Sequence, residues 1–131
     1  MDTYRFVLLV SGGRDFRDAD LLTQHLDNLV ADQDKKQILI VSGGCRGADL
    51  LAVKYAKARG INYIIVQAQW RNHGSAAGPR RNQRMIDQYR PHAAICFPSP
   101  ASVGTWDCYR RLETYRDAAG SRLRELVIVK C

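Results

Sequence analysis

Short apolar, β-favouring runs alternate along this chain with longer segments in which apolar residues recur every three or four positions. Residues 4–10, "YRFVLLV", read as a strand. In residues 18–33, Leu22, Leu26 and Leu29 fall at i, i+4 and i+7, one face of a helix. "QILIV" at 37–41 is a second strand, and residues 48–59 form a helix stopped at Gly60, a natural C-cap. A third strand is expected at 62–68, then a polar loop at 69–80. Pro79 suits the first turn of the next helix, whose apolar side is Met85, Ile86 and Tyr89. "HAAICF" at 92–97 is strand four. Cys108, Leu112, Tyr115 and Ala119 then repeat at helical spacing, and "LVIV" at 126–129 is strand five.

Five strands interleaved with four helices predict the α/β class. The expected architecture is a mostly parallel five-stranded sheet with helices on both faces, three layers in all. Continuous apolar strands fit a sheet buried on both sides. No internal repeat, low-complexity tract or linker interrupts the pattern, so residues 1–131 read as a single domain.

An apolar share of 46% and a charged share of 25% are those of an ordinary globular protein. No apolar run approaches the roughly 18 residues of a membrane span. The opening "MDTYRFVLLV" has an acidic second residue and too short an apolar run for a signal peptide. A cytoplasmic protein without a membrane partner is expected. Cys45, Cys96, Cys108 and Cys131 lack Cys-x-x-Cys spacing, and His25, His73 and His92 lie far apart. That predicts reduced thiols, two of them buried, and no metal site. The net charge of +7, carried mostly by arginine, suits planar contacts with phosphate or carboxylate. It does not choose among nucleic acid, nucleotide and simple solubility.

In such a sheet, ligands bind beyond the carboxyl ends of the strands, where the strand order reverses. The loops due there are "SGGRDF" (11–16), "SGGCRGAD" (42–49), "QWRNHGSAAGPRRN" (69–82) and "PSPASVGTWD" (98–107). Gly43, Gly44 and Gly47 allow positive φ and close approach of a ligand to N–H groups at a helix start. A tight strand–helix turn without a ligand needs the same residues. G-x-x-x-x-G-K-[ST] and G-x-G-x-x-G are absent, which disfavours a P-loop NTPase and an NAD-type dehydrogenase. Arg81 and Arg84, three apart on a helix's first turns, form either a phosphate grip or a solvated basic face, with Asn82 beside them to orient a loop. Trp70 either stacks on a base or covers the sheet end as core. Asp49 can cap the second helix and Asp15 can tie down its own turn, unless they face a ligand.

Together, "SGGRDF", "VSGGCRGADLLAVKYA", Trp70 and "AGPRRNQRM" resemble the SLOG superfamily, most closely its YspA/YpsA-related branch, over about residues 6–107. That superfamily also includes DNA-processing protein A and the Lonely Guy phosphoribohydrolases. The resemblance implies a Rossmann-like fold with a pocket for a nucleotide or nucleotide-derived ligand. It places Gly12, Gly13 and Arg14 on one side of the pocket and Gly43, Gly44, Gly47 and Asp49 on the other. The expected ligand-binding set adds Asp15, Ser42, Arg46, Trp70, Gly78, Arg81, Asn82, Gly104 and Thr105. In Lonely Guy enzymes an R-x-x-x-M helix supplies a functional arginine, and Arg81 to Met85 has that spacing. Their P-G-G-x-G-T-x-x-E motif supplies a glutamate near the reacting N-glycosidic bond. In "SPASVGTWDC" Gly104 and Thr105 match, Ala101 and Ser102 replace the paired glycines, and Cys108 stands at the glutamate position. The chain's two glutamates, Glu113 and Glu125, fall at other offsets.

The leading reading is therefore a module that binds, as a sensor, a nucleotide or nucleotide-derived ligand through glycine loops, Arg14, Arg46 and Arg81. One alternative is a nucleotide N-glycosidase or phosphoribohydrolase acting through Asp15, Asp49 or Asp107. Another is a single-stranded nucleic-acid module using Arg110, Arg111, Arg116, Arg122 and Arg124. Those arginines are interspersed with Glu113, Asp117 and Glu125, as on a solvated helix face. No cofactor is expected, save a Mg²⁺ ion accompanying a phosphate ligand. Tyr109, Leu112 and Tyr115 supply either core or a homo-oligomer interface.

Overall fold

The computed structural model describes residues 4–130. In chain order its main elements are β1 (Phe6–Gly12), α1 (Ala19–Val30), β2 (Ile38–Ser42), α2 (Ala48–Arg59), β3 (Asn62–Ile65), α3 (Trp70–His73), α4 (Ala77–Tyr89), β4 (Ala93–Phe97), α5 (Val103–Thr114) and β5 (Glu125–Ile128). The strands form one sheet in the order β3-β2-β1-β4-β5, every pairing parallel.

Alternation along β1 sends its side chains into two separate cores. Phe6, Leu8 and Val10 pack with Leu22 and Leu26 of α1 and Ala52 and Ala56 of α2. Val7 and Leu9 pack on the opposite face with Met85 and Ile86 of α4 and Cys108 and Leu112 of α5. Tyr109 and Tyr115 lie partly buried against that second core. The three-layer α/β architecture is thus built from the apolar periods of its elements. Cys96 and Cys108 are buried and Cys45 half-buried, while Cys131 lies outside the described residues.

Local chemistry sets the element ends. Asp18 caps α1, its Oδ1 accepting from the Leu21 N–H at 3.0 Å. Gly60, at φ 66°, closes α2 in the left-handed conformation. The last helix is shorter than its periodicity suggests. It stops at Thr114, and Tyr115 is extended at φ −63°, ψ 138°. Asp117 Oδ1 accepts from Ala119 N–H at 2.9 Å and Ser121 N–H at 2.8 Å. That local turn competes successfully with the helix and takes Ala119 out of it. Strand three likewise ends at Ile65, short of residue 68. The polar loop at 69–80 carries α3 and a 3₁₀ turn, Gly74–Ala76, before α4 begins at Ala77 with Pro79 in its first turn.

The order in which strands are added reverses between β1 and β4, so the loops at their carboxyl ends diverge and leave a crevice. Two glycines let the β1 and β2 loops interlock beside it. Gly47 has φ 88° and ψ −136°, a region open essentially to glycine alone, and a Cβ there would collide with the Gly13 carbonyl. A Cβ on Gly12 would collide with the Ala48 methyl. Gly104, in the first turn of α5, faces open space.

Gly47→Ala is therefore expected to cost roughly 3 kcal/mol through backbone strain and overpacking. Gly104→Ala should gain up to about 1 kcal/mol from helix propensity. Urea midpoints of the two variants check the contrast, and equal effects would contradict the interlocking-loop account.

Candidate functional site

A cleft of about 820 Å³ opens at the carboxyl end of the sheet. The β1–α1 loop supplies Gly12, Gly13, Arg14 and Asp15 to its lining, and the β2–α2 loop supplies Arg46, Gly47 and Asp49. Trp70, Gly78, Arg81 and Asn82 line it from α3 and α4, and Gly104, Thr105 and Asp107 from α5. Ser42, Gly43 and Gly44, expected in the same set, do not line it. Ser42 is fully buried; its hydroxyl donates to the Asp49 carbonyl at 3.0 Å and accepts from the Gly44 N–H at 3.2 Å.

Gly43 makes room for a neighbouring side chain. A Cβ there would strike the Arg81 guanidinium. Arg81 is 8% exposed. Its Nη1 donates to the Gly43 carbonyl at 3.0 Å and the Val66 carbonyl at 3.5 Å, and its Nε donates to Asn82 Oδ1 at 3.0 Å. Asn82 Nδ2 donates onward to the Gly104 carbonyl at 3.1 Å and to Asp107 Oδ2 at 3.0 Å. Arg81, by sequence either a phosphate grip or part of a solvated face, is buried rather than solvated, and the pair ties α4 to the β2–α2 loop and to α5. Arg81 Nη2 reaches only Cys45 Sγ, at 4.0 Å, and the side chain lines the cleft. Arg84 donates to the Gln67 carbonyl at 2.7 Å. Gly44, at φ 74°, likewise accommodates Ile65.

Asp49 does not cap α2. Gly47 occupies the N-cap position, and Asp49 Oδ2 accepts from the Cys45 N–H at 3.3 Å. Asp49 Oδ1 is buried without a hydrogen-bond partner. Burial pushes the carboxyl up to about 6, and the Arg81 charge, the Cys45 N–H, the nearby Gly12 backbone and the Arg14 charge offset only part of it. Asp107 behaves oppositely. Burial pulls it upward, but hydrogen bonds from Arg111 and Asn82 and the charges of Arg111 and Arg110 outweigh that and hold it below the usual carboxylate range. Its Oδ2 lies 2.9 Å from Arg111 Nε. Burial raises the Cys108 thiol to about 12, so the residue at the Lonely Guy glutamate position offers no acid or base near neutrality. Asp15 is exposed, and its turn is closed by backbone, Phe16 N–H to Gly13 carbonyl at 3.2 Å.

In the glycine-rich β2 loop, part of the backbone is spent within the protein. There the Gly44, Cys45 and Ala48 N–H groups are already engaged by Ser42, Asp49 and Gly13. The start of α5 has no side-chain cap, because the Ser102 hydroxyl accepts from the Ser99 N–H and donates to the Ser99 carbonyl, both at 2.7 Å. Arg14 and Arg46 are exposed on the cleft lining. Trp70 is 50% exposed and also lines the cleft, so it is not a core residue. Sequence reasoning missed the cleft positions of Phe16, Cys45, Ser99 and Ser102. The Ser-x-x-Ser spacing was the one readable signal among them.

Among the described residues no cluster of His, Cys, Asp and Glu is arranged to hold a metal ion, and no helix is long and apolar enough to cross a membrane.

Residues 6–73, just over half the chain, match the family described as "YspA, cpYpsA-related SLOG family". A "Gene 61 protein" of Mycobacterium phage D29 is 33% identical over 116 residues, which cover 81% of this chain and 87% of that protein. The fold is similar to that of DNA processing protein A from Streptococcus pneumoniae, with a TM-score of 0.53 and 15% identity. That likeness covers 95% of this chain but only 58% of the pneumococcal one.

Asp49 gives a signed prediction. Its folded-state value lies above the ordinary 3.8, so the folded protein holds a proton that the unfolded chain loses between 3.8 and about 6. The associated stability is fully present below 3.8 and lost as pH rises through about 6. At about 1.4 kcal/mol per pH step, the stability of Asp49→Asn relative to wild type should rise by on the order of 3 kcal/mol from pH 4 to pH 7. The comparison must be with the variant, because burial lowers His92, whose contribution runs the other way below about 6.5. A difference that stays flat with pH would contradict the assignment.

Proposed function

This chain belongs to the YspA, cpYpsA-related SLOG family, and on that premise we propose that its cleft binds a nucleotide or nucleotide-derived ligand. One observation carries the reading: a single cleft combines an uncapped helix start, unpaired arginines and an exposed indole. The first turn of α5, at Gly104 and Thr105, presents N–H groups and the positive end of the helix dipole, a natural seat for phosphate. Arg14 and Arg46 add planar charged donors from the other loops. Trp70 offers a face for a base. The cleft volume falls in the range of small-molecule sites, about 300–1,000 Å³. Arg81 and Asn82 act as positioning residues that hold the three loops together.

Binding without turnover, as in a sensor, fits the thiol of Cys108 where Lonely Guy enzymes have their glutamate. A second reading is favoured by Asp49 alone. A carboxyl that titrates near 6 in a cleft suits general acid–base work, here assisting departure of the base from a nucleotide N-glycosidic bond.

A thermal-shift panel of AMP, ADP, ADP-ribose, NAD, cyclic nucleotides and ribose 5-phosphate tests the proposal. A ligand at a hundred times its dissociation constant should stabilise by about 2.7 kcal/mol, a shift of several degrees. Arg14→Ala and Arg46→Ala should each weaken that ligand by about tenfold or more, the scale of a charged hydrogen bond. Chromatographic detection of free base, lost in Asp49→Asn, would select the enzyme reading. A panel with no shift at all would refute nucleotide binding.

A further inference from the structure

We propose that the ligand continues past the nucleotide cleft, across α3, into a second, basic depression, and therefore carries at least two phosphates joined through a nucleoside. A dinucleotide and the end of a short single strand share this chemistry. The inference rests on the nucleotide reading of the first cleft.

The second depression has a volume of about 540 Å³ and is lined by Gln69, His73, Arg80, Arg84 and Asp87 among others. Arg81 lines both depressions, so they adjoin across the first turns of α4. α3 forms the ridge between them: Trp70 lines the first, while Gln69 and His73 of the same short segment line the second. The ridge is one helical turn, about 6 Å long.

Charge makes the second depression a seat for an anion. The ion pairs among the described residues engage Arg59 and Arg111, leaving Arg80 and Arg84 without a carboxylate partner. Arg84 is held at the lining by its bond to the Gln67 carbonyl, and Arg80 is exposed. Asp87, the acid present, accepts from Gln83 Nε2 at 2.9 Å. Arg80 has no side-chain hydrogen bond or ion pair among the described residues, so it is free to meet a phosphate that follows the first nucleotide.

Trp70 explains why one ligand would occupy both places. A half-exposed indole on a ridge between two basic depressions stacks one base while the backbone passes over it, the arrangement of sequence-tolerant single-strand binding. A duplex does not fit this scheme, because a base must leave the stack to enter the cleft.

The test compares AMP, the dinucleotide pApA and 5′-phosphorylated single strands of four and twelve nucleotides, by quenching of tryptophan fluorescence at several salt concentrations. The dinucleotide should bind about tenfold more tightly than AMP, with a salt slope steeper by about 0.7 for the added phosphate contact. Arg80→Ala should remove most of that gain and leave AMP binding intact. Lys54→Ala, which deletes the same charge from an exposed position on α2, should change neither. Affinity that levels off at two units identifies a dinucleotide ligand, and affinity that keeps rising with length identifies a strand; either supports the proposal. Equal affinity for AMP and pApA, or equal effects of the Arg80 and Lys54 variants, would overturn it while leaving the nucleotide cleft standing. If no probe binds, including AMP, the nucleotide reading falls and takes this inference with it.

Discussion

The buried guanidinium of Arg81 governs the arrangement of the carboxyl end of the sheet. A charge at 8% exposure is tolerated only when its donors are satisfied, and the groups that satisfy it belong to loops far apart in sequence. Gly43 and Val66 supply carbonyls from the ends of neighbouring strands, and Asn82 relays the contact to α5 through Gly104 and Asp107. Because Gly43 lacks a Cβ, the guanidinium lies directly against the backbone it binds. The loop that looks like a ligand cradle is therefore built first around a side chain of the same protein.

That arrangement divides labour around the cleft. The β2 loop spends the N–H groups of Gly44, Cys45 and Ala48 on Ser42, Asp49 and Gly13. At the start of α5 the Gly104 and Thr105 N–H groups have no side-chain cap, because Ser102 turns back on Ser99. The stored cost sits at Asp49, whose carboxylate has one oxygen without a partner and whose proton is retained far above the ordinary range. Groups held at such a cost beside a cleft are where function is most economically sought. The exposed arginines, Arg14, Arg46 and Arg80, are the complement: they contribute little to packing and remain available to an anion.

Apolar periodicity alone determined the layered α/β architecture. Phe6 to Val10 form an unbroken apolar run, so both the Phe6, Leu8 and Val10 face and the Val7 and Leu9 face must be covered, as only a sheet layered on both sides allows. The glycines at 12, 13 and 47 likewise announced tight strand–helix turns, since backbone conformation and close approach are written in the absence of a side chain. Tertiary structure decided what those features serve. An arginine near a helix start looks the same in sequence whether it is solvated or buried, and only the fold brings the Gly43 and Val66 carbonyls to Arg81. The exposure of Trp70, the uncapped start of α5 and the proton of Asp49 were equally hidden. Each depends on groups brought together from distant parts of the chain, and burial and hydrogen-bond satisfaction are properties of that neighbourhood rather than of any residue's place in the sequence.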